Sequence, residues 1–188
     1  QAGHIFYVLT FPTQDVTWVY DVSEQHWHQR AWADANGNLR RWRPNCMAVF
    51  DGKVVAGDFE NGKLYQVDTE TFQDAGNPIV RIRSFPHILN DGKRVIYRSF
   101  IAEMEVGNEG TSGSNDNSAQ VSLRCSDNAG RSYGNAIEQS LGLTGEYLVS
   151  MQWNRLGLAR DRVFELSWSS PQKTALSGAY VQMVESAS

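Results

Sequence analysis

The sequence predicts an all-β protein, with propeller-like blades forming a partial propeller followed by a C-terminal β-sandwich-like unit. Three observations carry this. Short runs rich in β-branched and aromatic residues recur along all 188 residues. Turns containing Gly, Asn and Asp separate them, and no segment longer than about ten residues keeps a helical period.

The elements follow in order. Ile5-Phe6-Tyr7-Val8-Leu9 has strand composition and is stopped by Pro12. Val16 to Asp21 follows, then a polar turn at Ser23 and Glu24, then His26-Trp27-His28. Met47 to Phe50 and Lys53 to Gly57 flank Asp51-Gly52, a pair suited to the positive φ angles of a tight hairpin. Asn61-Gly62 plays the same part before Lys63 to Val67. Val80 to Ser84 and Arg94 to Phe100 alternate with period two, as half-buried strands do. Gly107 to Asn117 has almost nothing to bury and reads as a mobile loop or hairpin tip. Strands resume at Gln120 to Arg124, Tyr147 to Met151, Arg162 to Trp168 and Ala179 to Val184, with room for one short helical turn between Asn135 and Leu143.

Two features favour propeller-like sheets in the first part of the chain. Trp18-Val19-Tyr20-Asp21 followed by Trp27 and Arg30 gives an aromatic strand, an Asp turn and a Trp strand. Gly52 to Asp58 leads through a turn to Lys63 to Asp68, the pattern of two inner blade strands. Four-stranded blades need about 40 to 50 residues each, so a closed ring does not fit comfortably. The expected division is therefore residues 1–100 for propeller-blade strands and 101–188 for a C-terminal antiparallel unit.

Composition excludes several classes. Seventeen Lys and Arg against 21 Asp and Glu give a net charge of −4, unlike the strongly basic domain of a dedicated nucleic-acid binder. No apolar run approaches the roughly 20 residues of a membrane-spanning helix, and no signal peptide is visible. The chain starts at Gln1 rather than Met, which suggests a processed product or a fragment. Cys46 and Cys125 are too few for a disulfide scaffold; a single disulfide stays open, and two buried free thiols are the simpler reading.

Candidate chemistry is sparse. His26 and His28 share a strand face at a spacing a metal can use, but a third ligand would have to come from His4, His87, Cys46 or a carboxylate, and no local spacing nominates one. Packing at a sheet edge explains the pair equally. Arg40-Arg41-Trp42-Arg43, with Arg81, Arg83, Arg94 and Arg98, offers a positive stripe for phosphate, or cations that pair with carboxylates of neighbouring strands or of a partner. Glu103 and Glu105 share a strand face, as carboxylates on exposed sheets commonly do. There is no G-x-S-x-G elbow and no phosphate loop. No catalytic, cofactor-binding or metal residue is nominated, and the expectation is a protein that is not an enzyme.

Ser126-Asp127-Asn128-Ala129-Gly130-Arg131-Ser132-Tyr133 resembles the Asp-box, the S-x-D-x-G-x-[ST]-W hairpin turn of sialidases and other propellers, with Asn128 at the aspartate and Tyr133 at the tryptophan. Physically it is a structural turn. Ser126, Asn128 and Ser132 cap backbone N–H groups, Gly130 takes the strained dihedral and Tyr133 packs beneath.

A longer pattern adds to this. Val121 to Arg124 runs into Ser126 to Tyr133, then Gly145-Glu146-Tyr147, Trp153 to Arg162, Phe164 to Ser167, Leu176 to Ala179 and a last strand to Glu185. Upstream stand Val19-Tyr20-Asp21 with Trp27, and Gly57-Asp58 with Gly62 to Asp68. In this order they resemble the C-terminal part of the tail hub proteins of short-tailed bacteriophages, also called packaged-DNA stabilisation proteins. The resemblance implies a non-enzymatic virion tail protein assembled in the host cytoplasm. It implies a homo-oligomeric ring, usually of six copies, below the portal and adaptor proteins, through which DNA passes without sequence-specific binding. The ring retains the packaged genome and mounts the tail needle or fibre proteins; no cofactor and no membrane are involved. Full hubs are much longer, with further propeller strands N-terminal to this region.

A net-negative wall suits such a conduit, because each Lys or Arg on phosphate adds a salt-sensitive hold. Subunits of a ring meet through two different faces, where aromatics and arginines are enriched. Trp32, Arg41, Trp42 and Arg43 are the expected subunit contacts, with the Gly107 to Asn117 loop as a second candidate. The competing reading, from the Asp-box-like turn and surface-capable tryptophans, is a carbohydrate-binding or sialidase-like β-propeller module.

Overall fold

The structure is a computed structural model that describes residues 3–106, 120–141, 148–170 and 172–185. Gln1, the Gly107 to Asn117 segment and Gly145-Glu146-Tyr147 lie outside the described residues. Every regular element among the described residues is a strand, and the chain divides into two compact units, Gln1–Ile79 and Val80–Ser188.

The first unit holds three small antiparallel sheets. Strands β1 (Phe6–Phe11), β2 (Val16–Asp21), β3 (His26–Ala33) and β4 (Leu39–Arg41) form a meander in that order. Strands β5 (Pro44–Phe50), β6 (Lys53–Asp58) and β7 (Leu64–Val67) form a second, and β8 (Gln73–Asp74) with β9 (Asn77–Pro78) a short hairpin. The β5–β6 turn is built as the Asp-Gly pair demands, with Asp51 at φ 49° and Gly52 at φ 70°. Among its described residues this unit buries few apolar side chains. Val19, Pro44 and Ala56 are its buried apolar side chains among the described residues.

The second unit is a β-sandwich. One sheet runs β10 (Val80–Ser84), β16 (Asp161–Ser169), β13 (Gln120–Ser126), β14 (Ile137–Ser140), with β11 (Ile88–Leu89) also paired to β16; the other runs β15 (Leu148–Ala159), β12 (Val95–Val106), β17 (Thr174–Glu185). Their inner faces share one core. Phe100 packs on Phe164 with ring centroids 4.9 Å apart, and Tyr97 meets Phe164 at 5.7 Å across the two sheets. Trp153, Met104, Leu123 and Leu166 are among the other side chains buried in it, each worth about 1.5–3 kcal/mol of burial. The polar tips of the aromatics are satisfied: the Trp153 indole donates to the Ile137 carbonyl at 2.8 Å and the Tyr97 hydroxyl to that of Ile88 at 3.2 Å.

Three details differ from the sequence reading. A division at 100/101 falls inside β12, whereas the compact units divide at 79/80. Of the Asn135 to Leu143 segment, residues 135–141 are described, and they hold the strand β14 rather than a helical turn, because Ile137 to Ser140 pair with Leu123 to Gln120. Cys46 and Cys125 are free, but Cys46 is exposed and Cys125 only half-buried.

Candidate interaction surfaces

Cross-strand register fixes which side chains share a face. In the first sheet Tyr7, Tyr20 and Trp27 stand opposite one another, as do Leu9, Trp18 and Gln29. One face therefore carries Phe6, Val8, Thr17, Val19, Asp21, His28 and Arg30, and on it Thr17, Val19 and Asp21 are buried. The other carries Tyr7, Phe11, Trp18 and Trp27, which are 57%, 42%, 37% and 48% exposed. The Tyr20 and Trp27 rings touch there, with centroids 5.0 Å apart. This open aromatic sheet face stands beside few buried apolar groups. Strand alternation predicts that these residues share a face; it does not predict that the face is open.

The four expected contact residues are gripped internally. The Arg43 guanidinium lies 3.6 Å over the Trp32 ring and pairs with Asp58 at 2.9 Å and Glu60 at 3.0 Å. Arg41 stacks over Phe59 at 3.7 Å. Trp42 sits 5.0 Å from the Arg30 guanidinium and donates its backbone N–H to the Thr17 hydroxyl. Burial alone would lower the Arg43 pKa, but the hydrogen bond and charge of Asp58 outweigh it and hold it above its usual range. All four stay partly exposed, and the buried Trp32 indole N–H has no acceptor among the described residues.

Around Asp21 the charges are arranged for rigidity. Burial works to raise its pKa, and hydrogen bonds with His4 and from the Glu24 and Ser23 N–H groups outweigh it and lower it. His26 and His28 have ring centroids 5.9 Å apart, and no group of three possible metal ligands occurs among the described residues. Arg81 and Arg83 stand on β10 in one sheet of the sandwich and Arg98 on β12 in the other.

The turn after β13 is closed by its short side chains. The Ser126 hydroxyl donates to Asn128 Oδ1 at 2.8 Å and accepts from the Gly130 N–H at 3.0 Å; Asn128 Oδ1 accepts from the Ser132 N–H at 2.9 Å. Gly130 holds φ 79°, and the Tyr133 ring lies 5.3 Å from the Arg124 guanidinium. Asp127, at an unspecified position of the Asp-box pattern, accepts from the buried Arg162 guanidinium. The signal was a lone acidic residue facing an arginine 35 positions away, which no local pattern singles out.

Among the described residues, nothing in this geometry converges on a reaction centre. It defines a class, an all-β protein built to present sheet faces. The family of bacteriophage P22 Gp10, β-sandwich, matches residues 81–184, more than half of the chain, over the second unit. The chain belongs to that family, and is a structural protein of a phage tail. No curated protein matches the chain.

Proposed function

We propose that the chain acts as part of a phage tail hub: a ring of identical copies, six in number, that extends the DNA channel below the portal and adaptor, retains the packaged genome and mounts distal tail parts. One observation supports this most directly. The first unit leaves Tyr7, Phe11, Trp18 and Trp27 open while burying little else that is apolar. A unit so short of core gains its stability from whatever covers that face. In this reading the β1–β4 and β5–β7 meanders are blades of a partial propeller, and neighbouring sheets cover the aromatics. Trp32, Arg41, Trp42 and Arg43 add subunit contacts through the parts their internal stacks leave exposed. The net charge of −4 keeps the wall from gripping DNA. No chemistry is assigned to it.

Native mass spectrometry with negative-stain imaging tests this. A ring is expected from the wild type, and a folded species without the ring from Tyr7→Ser, Trp18→Thr, Trp27→Thr. A second reading, carbohydrate binding, is favoured by the adjoining Tyr20 and Trp27 rings on an open sheet, a platform on which sugar rings stack. A single-copy wild type retained on a glycan array, with retention lost in the triple variant, would replace the hub reading with this one.

A further inference from the structure

The outer face of the β15–β12–β17 sheet is polarised along its length. At one end Ile96 pairs directly with Leu158 and Val184, and the three are 42%, 43% and 40% exposed, forming one apolar patch. Exposed arginines frame it. Arg94 precedes Val95, which pairs with Ala159, the residue before Arg160. Register slips between Tyr97 and Ser99, leaving Arg98 against Arg155 and Leu156. None of these four arginines has an acidic partner within ion-pair distance among the described residues; the nearby Glu185 accepts from Asn90 at 3.1 Å. At the other end the exposed Glu103 and Glu105 share the face with Leu148, and Tyr180 lies over Gly178, where an added Cβ would stand 3.1 Å from its hydroxyl. Between the ends lie the amides of Gln152, Asn154 and Gln182.

We infer that this face docks a second copy of the chain, face to face and antiparallel about a two-fold axis. Rotation about a dyad through the amide belt sets each arginine end over the partner's Glu103 and Glu105. It also sets each Ile96 patch against the partner's Tyr180 and Leu148, so charge and apolar surface match together. The area suffices. Twelve residues at about 3.3 Å each and three strands about 4.8 Å apart give about 550 Å² per copy, or about 1,100 Å² in all, which clears the roughly 1,000 Å² of a specific interface. Duplex DNA is the lesser fit, because phosphate backbones offer nothing to the apolar trio and are repelled by the acidic end. This two-fold contact stands apart from the ring contact proposed above.

Sedimentation equilibrium of the full chain tests it. The expected result is a two-copy contact that Arg98→Glu with Arg160→Glu weakens at least about tenfold, that Glu103→Arg with Glu105→Arg weakens similarly, and that the four changes together restore. Restoration requires the two ends to face each other across copies, which a merely destabilised fold would not give. A wild type free of two-fold association, failure of the fourfold variant to recover, or arginine-dependent binding of a 30-base-pair duplex by single copies each overturns the inference. Rings lost while the two-fold contact persists would overturn the hub reading alone.

Discussion

Arg162 and Asp127 form a bidentate pair, with Nε to Oδ1 at 2.7 Å and Nη2 to Oδ2 at 2.8 Å. The Arg162 side chain is only 5% exposed; it also donates to the Leu156 carbonyl and lies 4.7 Å over the Tyr97 ring. One guanidinium thus joins the β13 turn, the β15 bulge and the core. Burial alone would lower its pKa, and the Asp127 carboxylate reverses that and keeps it charged.

Breaking this pair from either side is expected to cost stability unequally. Asp127→Ala leaves a buried cation without its counter-charge, and because Asp127 is itself half exposed the loss is about 1–3 kcal/mol. Arg162→Ala also removes packing against Tyr97 and the bond to Leu156, and costs about 3–5 kcal/mol. Urea unfolding of the full chain measures both; equal losses would show that the charge pair alone matters.

The turn after β13 separates side-chain capping from backbone strain. Ser126→Ala removes the oxygen shared by Asn128 and Gly130 and is expected to cost about 1–2 kcal/mol. Gly130→Ala has room, its Cβ being 3.5 Å from the Tyr133 hydroxyl, but must hold φ 79°, which costs about 1 kcal/mol. A neutral Ser126→Ala in thermal unfolding would contradict the capping role.

Trp153 carries both packing and a hydrogen bond. Trp153→Phe is expected to lose about 2–4 kcal/mol, since it opens space beside Phe100 and strands the Ile137 carbonyl. Amide exchange along β14 is the sharper readout, because the Ile137 tether should loosen it selectively.

His28 gives the first unit a pH dependence. Burial, then the positive charges of Arg30 and His26, hold its imidazole below the ordinary value of 6.5. The unfolded chain therefore takes up this proton at higher pH than the folded one. Stability present above about pH 6.5 falls as pH drops towards the depressed native value, and levels off beneath it. His28→Gln should flatten that part of the profile of urea midpoint against pH; an unchanged slope would assign it to other groups.

Much of the strand order was legible because alternation and turn chemistry are local. Asp51-Gly52 supplies its own positive φ angles, and Ser126, Asn128 and Gly130 lie within one turn of each other. The extent of β12 was not legible. Val95 and Tyr97 point inward, then Phe100, Ala102 and Met104, so the inward parity changes at the Arg98 bulge and the period of two breaks within one strand. The Asp127–Arg162 pair was hidden for a similar reason, since its two halves meet only when β13 and β16 lie side by side.

The sequence by itself determined an all-β chain, its main turns and the grouping of side chains into alternate faces, because these depend on neighbours a few residues apart. Tertiary structure alone decided which face of each sheet is covered. The same alternation that buries Val19 leaves Trp18 and Trp27 open, and the same register that buries Tyr97 presents Ile96, Leu158 and Val184. Periodicity fixes that two faces differ; burial depends on the sheet that arrives opposite, and in this fold that partner comes from distant parts of the chain or does not come at all.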